Sequence, residues 1–364
     1  MSFQPTFRCT SRRLRRTIVA AFVCLSVGTC EHALALTTTC ISEEDIVGLQ
    51  AALSAAAGNG DDDLIQLQIG HYSMPSGFVL DFPSAEAHGL TIEGGYSPNF
   101  GNDCGTPPAS PDARLTVLDQ GLWRLHLASG APSITLRGLT LQNTSSGDPT
   151  LAPIQIDADA AATGSIAIEN AMLIGNSSVG TSAIYISAAK GAISLQNSLF
   201  ASNVTFAAIN PIRFRSVRNG SLCASIVNST FADNVSAQPS VYVISPNCLA
   251  VAANDIFWGS AASDVVFSNP AGTYLLSDDL SAIGDAMGTQ AFDVVSINPM
   301  FNADFSLQDF SPLRDKGNPG GVGSLFTPGS FDVEGKERVH PAGLPDIGAF
   351  EITDMIFADD FEQH

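Results

Sequence analysis

The segment LQNSLFASN, residues 195–203, is one copy of a pattern that recurs along the chain. LRGLTLQNT (136–144), IENAMLIGN (168–176), IVNSTFADN (226–234) and AANDIFWGS (252–260) share its apolar-x-Asn-x-x-Leu/Phe-x-x-Asn outline. The first small or polar position is Gly138, Asn170, Asn197, Asn228 and Asn254, at spacings of 32, 27, 31 and 26 residues. The second is Thr144, Asn176, Asn203, Asn234 and Ser260. Between them run short alternating stretches such as Ile166-Ala167-Ile168 and Ala183-Ile184-Tyr185-Ile186. A period of two puts one apolar set on one face. Asn or Gly punctuates every few residues and forces a turn. Repeats of this length, made of several short strands, predict an all-β right-handed parallel β-helix.

In such a solenoid each coil rises by one strand spacing, about 4.8 Å, so like positions stack. The apolar positions become a continuous core, with Phe200, Phe231 and Phe257 as one expected stack. The asparagines become ladders, amide on amide, and tolerate the left-handed backbone of a turn. Cys223 and Cys248 differ by about one coil, which makes a disulfide between neighbouring rungs reasonable.

An open β-helix exposes an unpaired strand edge, so its ends need cover. Residues 36–63 offer the N-terminal cover. Ser42 with Asp45 resembles a capping box, and Ile46, Leu49, Leu53 and Ala57 follow at helical spacing. The prediction is a short capping helix over 42–57, ended by Gly58-Asn59-Gly60, with the first strand beginning near Leu64. The Pro- and Gly-rich stretch Asn102–Asp112, holding Cys104, reads as a loop leaving the solenoid. Residues 64–310 then hold roughly nine to ten coils, residues 311–351 form a distinct C-terminal segment, and 352–364 a tail.

Residues 1–35 read as a secretory signal. Arg8, Arg12, Arg13, Arg15 and Arg16 precede an apolar run over Ile18–Val27, and Ala33-Leu34-Ala35 is a small-x-small cleavage site. The run is shorter than the roughly 20 apolar residues a membrane span needs, so no span is expected after cleavage. Five of the 16 basic residues and one of the 36 acidic ones lie in this segment, which leaves a mature chain of net charge −24. That balance argues against nucleic acid, whose phosphates need Lys and Arg. Cys40, Cys104, Cys223 and Cys248 remain, an even number that permits two disulfides outside the cytoplasm.

Several segments together resemble secreted bacterial right-handed parallel β-helix proteins with a choice-of-anchor Q type C-terminal region. The carriers are TIEGGYSP (91–98), RLTVLDQ (114–120), SITLRGLTLQN (133–143), the Asn repeats, INPMF (297–301), FSLQDFSPLRDKGNP (305–319) and DVEGKERVHPAGLPDIGAFE (332–351). The resemblance implies an extracellular or cell-envelope protein and no single activity, because β-helices host lyases, hydrolases and adhesins alike.

Catalysis on this fold makes specific demands on side chains. A hydrolase of this fold needs clustered carboxylates; Asp157 with Asp159, and Asp278 with Asp279, are the nearest pairs and read as solvated loops. A lyase needs an Arg or Lys to take the proton beside a uronate carboxylate, and a cation to neutralise that carboxylate. Arg213 and Arg215, alternating around Phe214, with Lys190 about a coil earlier, are the candidates. His71, His88, His126, His340 and His364 lie scattered, without evident partners. Calcium is the expected ion if there is one, at Asp61, Asp62 and Asp63 in an oxygen-rich turn. The favoured reading is a non-enzymatic, adhesin-like module whose repetitive face binds glycans or cell-surface components; the alternative is a polysaccharide lyase or glycoside hydrolase. Trp123, Trp258 and the five tyrosines are the aromatics available for sugar stacking.

Overall fold

A computed structural model describes residues 36–98, 103–108, 110–130, 132–219, 222–245, 248–259, 264–268, 274–276, 281–283, 294–295, 297–317, 331–338 and 344–352. The signal segment, Asp278, Asp279, His340, His364 and the tail stretch 355–362 lie outside these residues.

The chain is a parallel β-helix of about seven turns, with one α-helix among the described residues. Its strands stack into sheets of nine, nine and seven members, plus a short three-stranded sheet at one corner, and every ladder between them is parallel. Seven coils rather than nine or ten carry a strand in all three large sheets. Part of the difference is that 297–310, counted with the coils, does not coil: with 311–317, 331–338 and 344–352 it packs against the outside of the second sheet.

Alternation decides which side chains fill the interior. In the strand Met172–Ile174, Leu173 points in, and its register partners Phe200 and Leu141 lie directly above and below it. Phe200, Phe231 and Phe257 stack with centroids 4.7 and 4.8 Å apart, and Phe214 meets Phe231 edge-on at 6.3 Å.

Two asparagine ladders run along the turns. Asn254 donates to Asn228 and Asn228 to Asn197, each at 3.2 Å. In the second ladder Asn176 donates to Asn203 and Asn203 to Asn234, each at 2.9 Å. The left-handed backbone expected of all of them belongs only to the first ladder, where Asn170, Asn197, Asn228 and Asn254 have φ between 48° and 55°. In the second it falls one residue earlier, at Gly175, Ser202 and Asp233. Asn170 is bonded differently: its amide donates to the carbonyls of Phe331 and Asp332, both at 2.7 Å, and so anchors the C-terminal segment.

The N-terminal cover differs in detail from expectation. A strand, Leu36–Ile41, precedes the helix and pairs with Asp62–Gln68, adding a rung before the first full coil. The helix spans Ile46–Ala56, and its cap is Asp45, whose carboxylate accepts from the Gly48 N–H at 2.8 Å, rather than Ser42. Leu49, Ala52, Leu53 and Ala56 plug the end of the core. Disulfides join Cys40 to Cys104, tying the first rung to the loop, and Cys223 to Cys248 on successive rungs of the first sheet.

The C-terminal segment covers the second sheet. Val333, Ala349 and Phe350 pack on the outward Met172, Leu199 and Ala201, while Leu307, Leu313 and Ile347 pack on Ile256. Beneath it the fully buried Arg338 donates to the Gly348 carbonyl at 2.7 Å and faces Glu351 at 3.5 Å. Asp332, Asp346 and Asp255 complete the charged cluster around that guanidinium. Burial pushes Glu351 up to about 8, with Arg338 opposing. Burial likewise raises Asp255, Asp332 and Asp346.

A stability trend follows from these groups. As pH rises from the ordinary carboxylate range, the unfolded chain sheds protons that the folded chain keeps, so stability falls until the folded carboxyls also ionise. His126, raised as described below, acts in the same direction, because its stabilisation is lost as pH climbs through its folded value. The thermal unfolding midpoint is therefore expected to be higher near pH 5 than near pH 8 (both approximate ends of that window). A midpoint that climbs over this interval contradicts the assignment.

Candidate functional site

The three faces of the solenoid differ in what they offer. The second sheet is covered by the C-terminal segment. The first presents small or paired groups: Thr91, Thr135, Ala167 and Ser194 in one outward row, and Arg137 bound to Glu93 at 3.0 Å in the next. The third sheet carries the open chemistry.

Its outward positions form a column set by register. Asp81 pairs with Arg124, Arg124 with Gln155, Gln155 with Tyr185, Tyr185 with Arg213, and Arg213 with Tyr242. The alternate residues Trp123, Ile154, Ile184, Ile212 and Val241 fill the core, which fixes the column outward. Arg213 lies between two tyrosines, its guanidinium carbon 5.9 Å from the Tyr185 ring centre and 6.0 Å from that of Tyr242. A cation over an aromatic face is held by the ring quadrupole. The Arg213 Nε is buried with no hydrogen-bond partner, and no ion pair to it forms among the described residues. Beside this column lies a cleft of about 260 Å³, bounded by Gln155, Tyr185 and Arg213 and by Thr150, Thr181 and Ile209 from three successive loops. Phe206, on the same loop as Ile209, is 76% exposed.

A second outward row runs beside the first, and it brings His126 and Asp157 together as register partners. His126 Nδ1 lies 2.6 Å from Asp157 Oδ1, and Nε2 lies 3.3 Å from Asp159 Oδ1. Burial works against the charged ring, but the hydrogen bond to Asp157 and the charges of both aspartates outweigh it and raise the His126 pKa. The aspartates read from sequence as a solvated loop thus clasp a histidine read as unpartnered. His71 and His88 also have partners, Asp119 at 3.4 Å and Asp62 at 3.9 Å. The aspartates bind opposite edges of the His126 ring and do not converge on one ion.

The expected site residues fall as follows. Arg213 and Arg215 both point outward from the strand Ile212–Arg215 around the buried Phe214, with Arg213 in the cleft and Arg215 exposed. Lys190 stands apart: its turn pairs with Ala162 and Val217, beyond the strand that carries the arginines. Asp61, Asp62 and Asp63 do not converge on a cation. Asp61 accepts from Thr37 at 3.1 Å, Asp62 from the Gly89 N–H at 2.8 Å and Asp63 from Asn59 at 2.8 Å. Among the described residues no group of three or more His, Cys, Asp or Glu side chains is placed to hold a metal ion. Of the aromatics, Trp123, Tyr72 and Tyr96 are core residues, while Tyr185 and Tyr242 face outward. Gln155, Tyr185 and the His126 pairing were missed in the sequence. The signal for them is the third strand of each repeat: LWRLHL, IQIDA, IYIS, IRFR and VYVI align their central outward residue once the coil length is known.

No protein-family model matches the chain, and neither a curated protein nor a solved structure matches it. The fold assignment therefore rests on the chain's own geometry.

Proposed function

We propose that this chain is a secreted or cell-surface β-helix protein of the choice-of-anchor Q type, and that the third sheet binds extracellular glycans without cleaving them. The observation that carries the reading is the cleft lined by Gln155, Tyr185 and Arg213. An aromatic face, a planar cation and an amide on adjacent rungs are the groups that stack on and hydrogen-bond to a sugar. The rungs repeat at about 4.8 Å, comparable with the length of one pyranose unit, so a polymer lying across them meets successive contacts. Two disulfides suit an oxidising compartment, and no helix among the described residues is long and apolar enough to cross a membrane.

The groups present favour binding over bond cleavage. Both ring nitrogens of His126 face carboxylates, which leaves no free imidazole base toward the cleft. Arg213 lies between two aromatic rings, which suits a binding cation, whereas a proton-abstracting arginine must give up its charge. Calorimetric titration of the chain from Leu36 with a panel of neutral and uronate oligosaccharides tests the reading. Binding is expected, and Tyr185→Ala and Arg213→Ala should each weaken it about tenfold, the equivalent of about 1.4 kcal/mol. Binding by none of the panel, or binding indifferent to both substitutions, would overturn it. New reducing or unsaturated ends, lost in an Arg213/Arg215 double substitution, would establish a lyase or hydrolase instead.

A further inference from the structure

We infer that Gln155, oriented by Asp157 and His126, makes the cleft selective for a neutral, hydroxyl-bearing saccharide over one carrying a uronate carboxylate at the same position. This rests on the glycan-binding reading of the cleft and specifies its ligand.

The argument begins with hydrogen-bond arithmetic. Gln155 Nε2 donates to Asp157 Oδ2 at 2.6 Å. An ionised carboxylate only accepts, so the amide must turn its nitrogen toward Asp157 and its carbonyl oxygen away. The other oxygen of Asp157 is engaged by His126 Nδ1 at 2.6 Å, which fixes the carboxylate's orientation. His126 is in turn held from the far edge by Asp159, and Asp159 accepts from Ser129 at 3.3 Å. The chain Asp159–His126–Asp157–Gln155 therefore leads from the rim of the sheet to a residue that lines the cleft. It leaves the amide oxygen, which only accepts hydrogen bonds, on a residue that lines the cleft two rungs from Arg213.

A sugar hydroxyl donates to the amide oxygen, while another oxygen of the same ligand accepts from the guanidinium two rungs away. A carboxylate satisfies Arg213 alone and faces the amide oxygen with a second acceptor. A site built around a fixed acceptor penalises a ligand that cannot donate to it, since the bound ligand then covers an acceptor left unpaired. The strongly acidic chain, of net charge −20, works in the same direction at long range.

Asp157→Asn is the informative variant. An asparagine amide presents either an acceptor or a donor, so Gln155 is released to turn its nitrogen toward the cleft and welcome a carboxylate. The probes are galacturonan, mannuronan and glucuronan oligosaccharides and their carboxyl-reduced counterparts, which differ only in carboxylate against hydroxymethyl at C6. The wild-type chain is expected to bind at least one reduced member more tightly than its acidic partner. Asp157→Asn should shift that ratio toward the acid by about tenfold, one hydrogen-bond equivalent. Gln155→Leu should abolish most of the preference. A general loss of stability moves both affinities together and leaves the ratio unchanged. Tighter binding of the acidic members by wild type, or a ratio unaltered in both variants while Tyr185→Ala still weakens binding, overturns this inference and leaves the glycan-binding reading standing. Binding of none of the probes overturns both.

Discussion

Replacing Arg338 by methionine is expected to cost about 3–5 kcal/mol at pH 8, the usual penalty for breaking a buried charge cluster by removing one partner. The guanidinium is the cation that Glu351, Asp332, Asp346 and Asp255 all act on, and it is fully buried. Without it Asp346 still accepts from the N–H groups of Ile352 and Asp315, and Asp332 from those of Glu334, Lys336 and Glu351, but their countercharge is gone. They must then take up protons, and the cost should shrink as pH falls toward about 5, where protons are freely supplied. The structural consequence is local. Arg338 also bonds the Gly348 carbonyl, and Gly348 donates to the Asn254 carbonyl of the solenoid. The C-terminal segment should therefore detach first, and limited proteolysis should cut near 331–352 at protease levels the wild-type chain resists. Equal stability of variant and wild type at pH 8 would show that the cluster does not hold the segment down.

Phe231→Ala is expected to destabilise the solenoid by about 3–5 kcal/mol, the range for truncating a buried aromatic. Phe231 lies between Phe200 and Phe257 in a stack and touches Phe214 edge-on, so alanine leaves a cavity walled on three sides by rings. Neighbouring rungs cannot close around it, because their spacing is set by the ladder hydrogen bonds of Leu199–Ala201, Thr230–Ala232 and Ile256–Trp258. Phe231→Leu should cost far less. The same column carries Leu141 and Leu173 on earlier rungs, so the interior already accommodates leucine there. Denaturant midpoints of the two variants check this; equal losses would show that filling the volume with leucine recovers nothing and that the loss comes from the ring contacts.

The asparagine repeats made the fold legible because a solenoid repeats its environment as it repeats its sequence. Asn170, Asn197, Asn228 and Asn254 occupy equivalent turns, and one residue type solves the same backbone problem four times. The capping helix was legible from Leu49 and Leu53, though its cap moved to Asp45, which sits one residue before the first helical position. What could not be read was anything joining residues of unlike phase. Arg338 meets Asp255 and the Asn228 carbonyl across more than 80 positions of chain, with no periodicity to announce it. The coil count was too high in part because 297–310, which packs on the outside, carries the same apolar content as a stretch that coils. In the candidate site, Arg213 was found from its alternation with Phe214 alone. Its partners Tyr185 and Tyr242 required the register between rungs, as did the pairing of His126 with Asp157.

Hydrogen–deuterium exchange with and without a bound oligosaccharide tests the central claim most directly. The account predicts slowed exchange in Ile154–Ala158, Ile184–Ser187 and Ile212–Arg215 and in the loops carrying Thr150, Thr181 and Ile209, with the first sheet unchanged. Protection confined to the first sheet or to the C-terminal segment would contradict it.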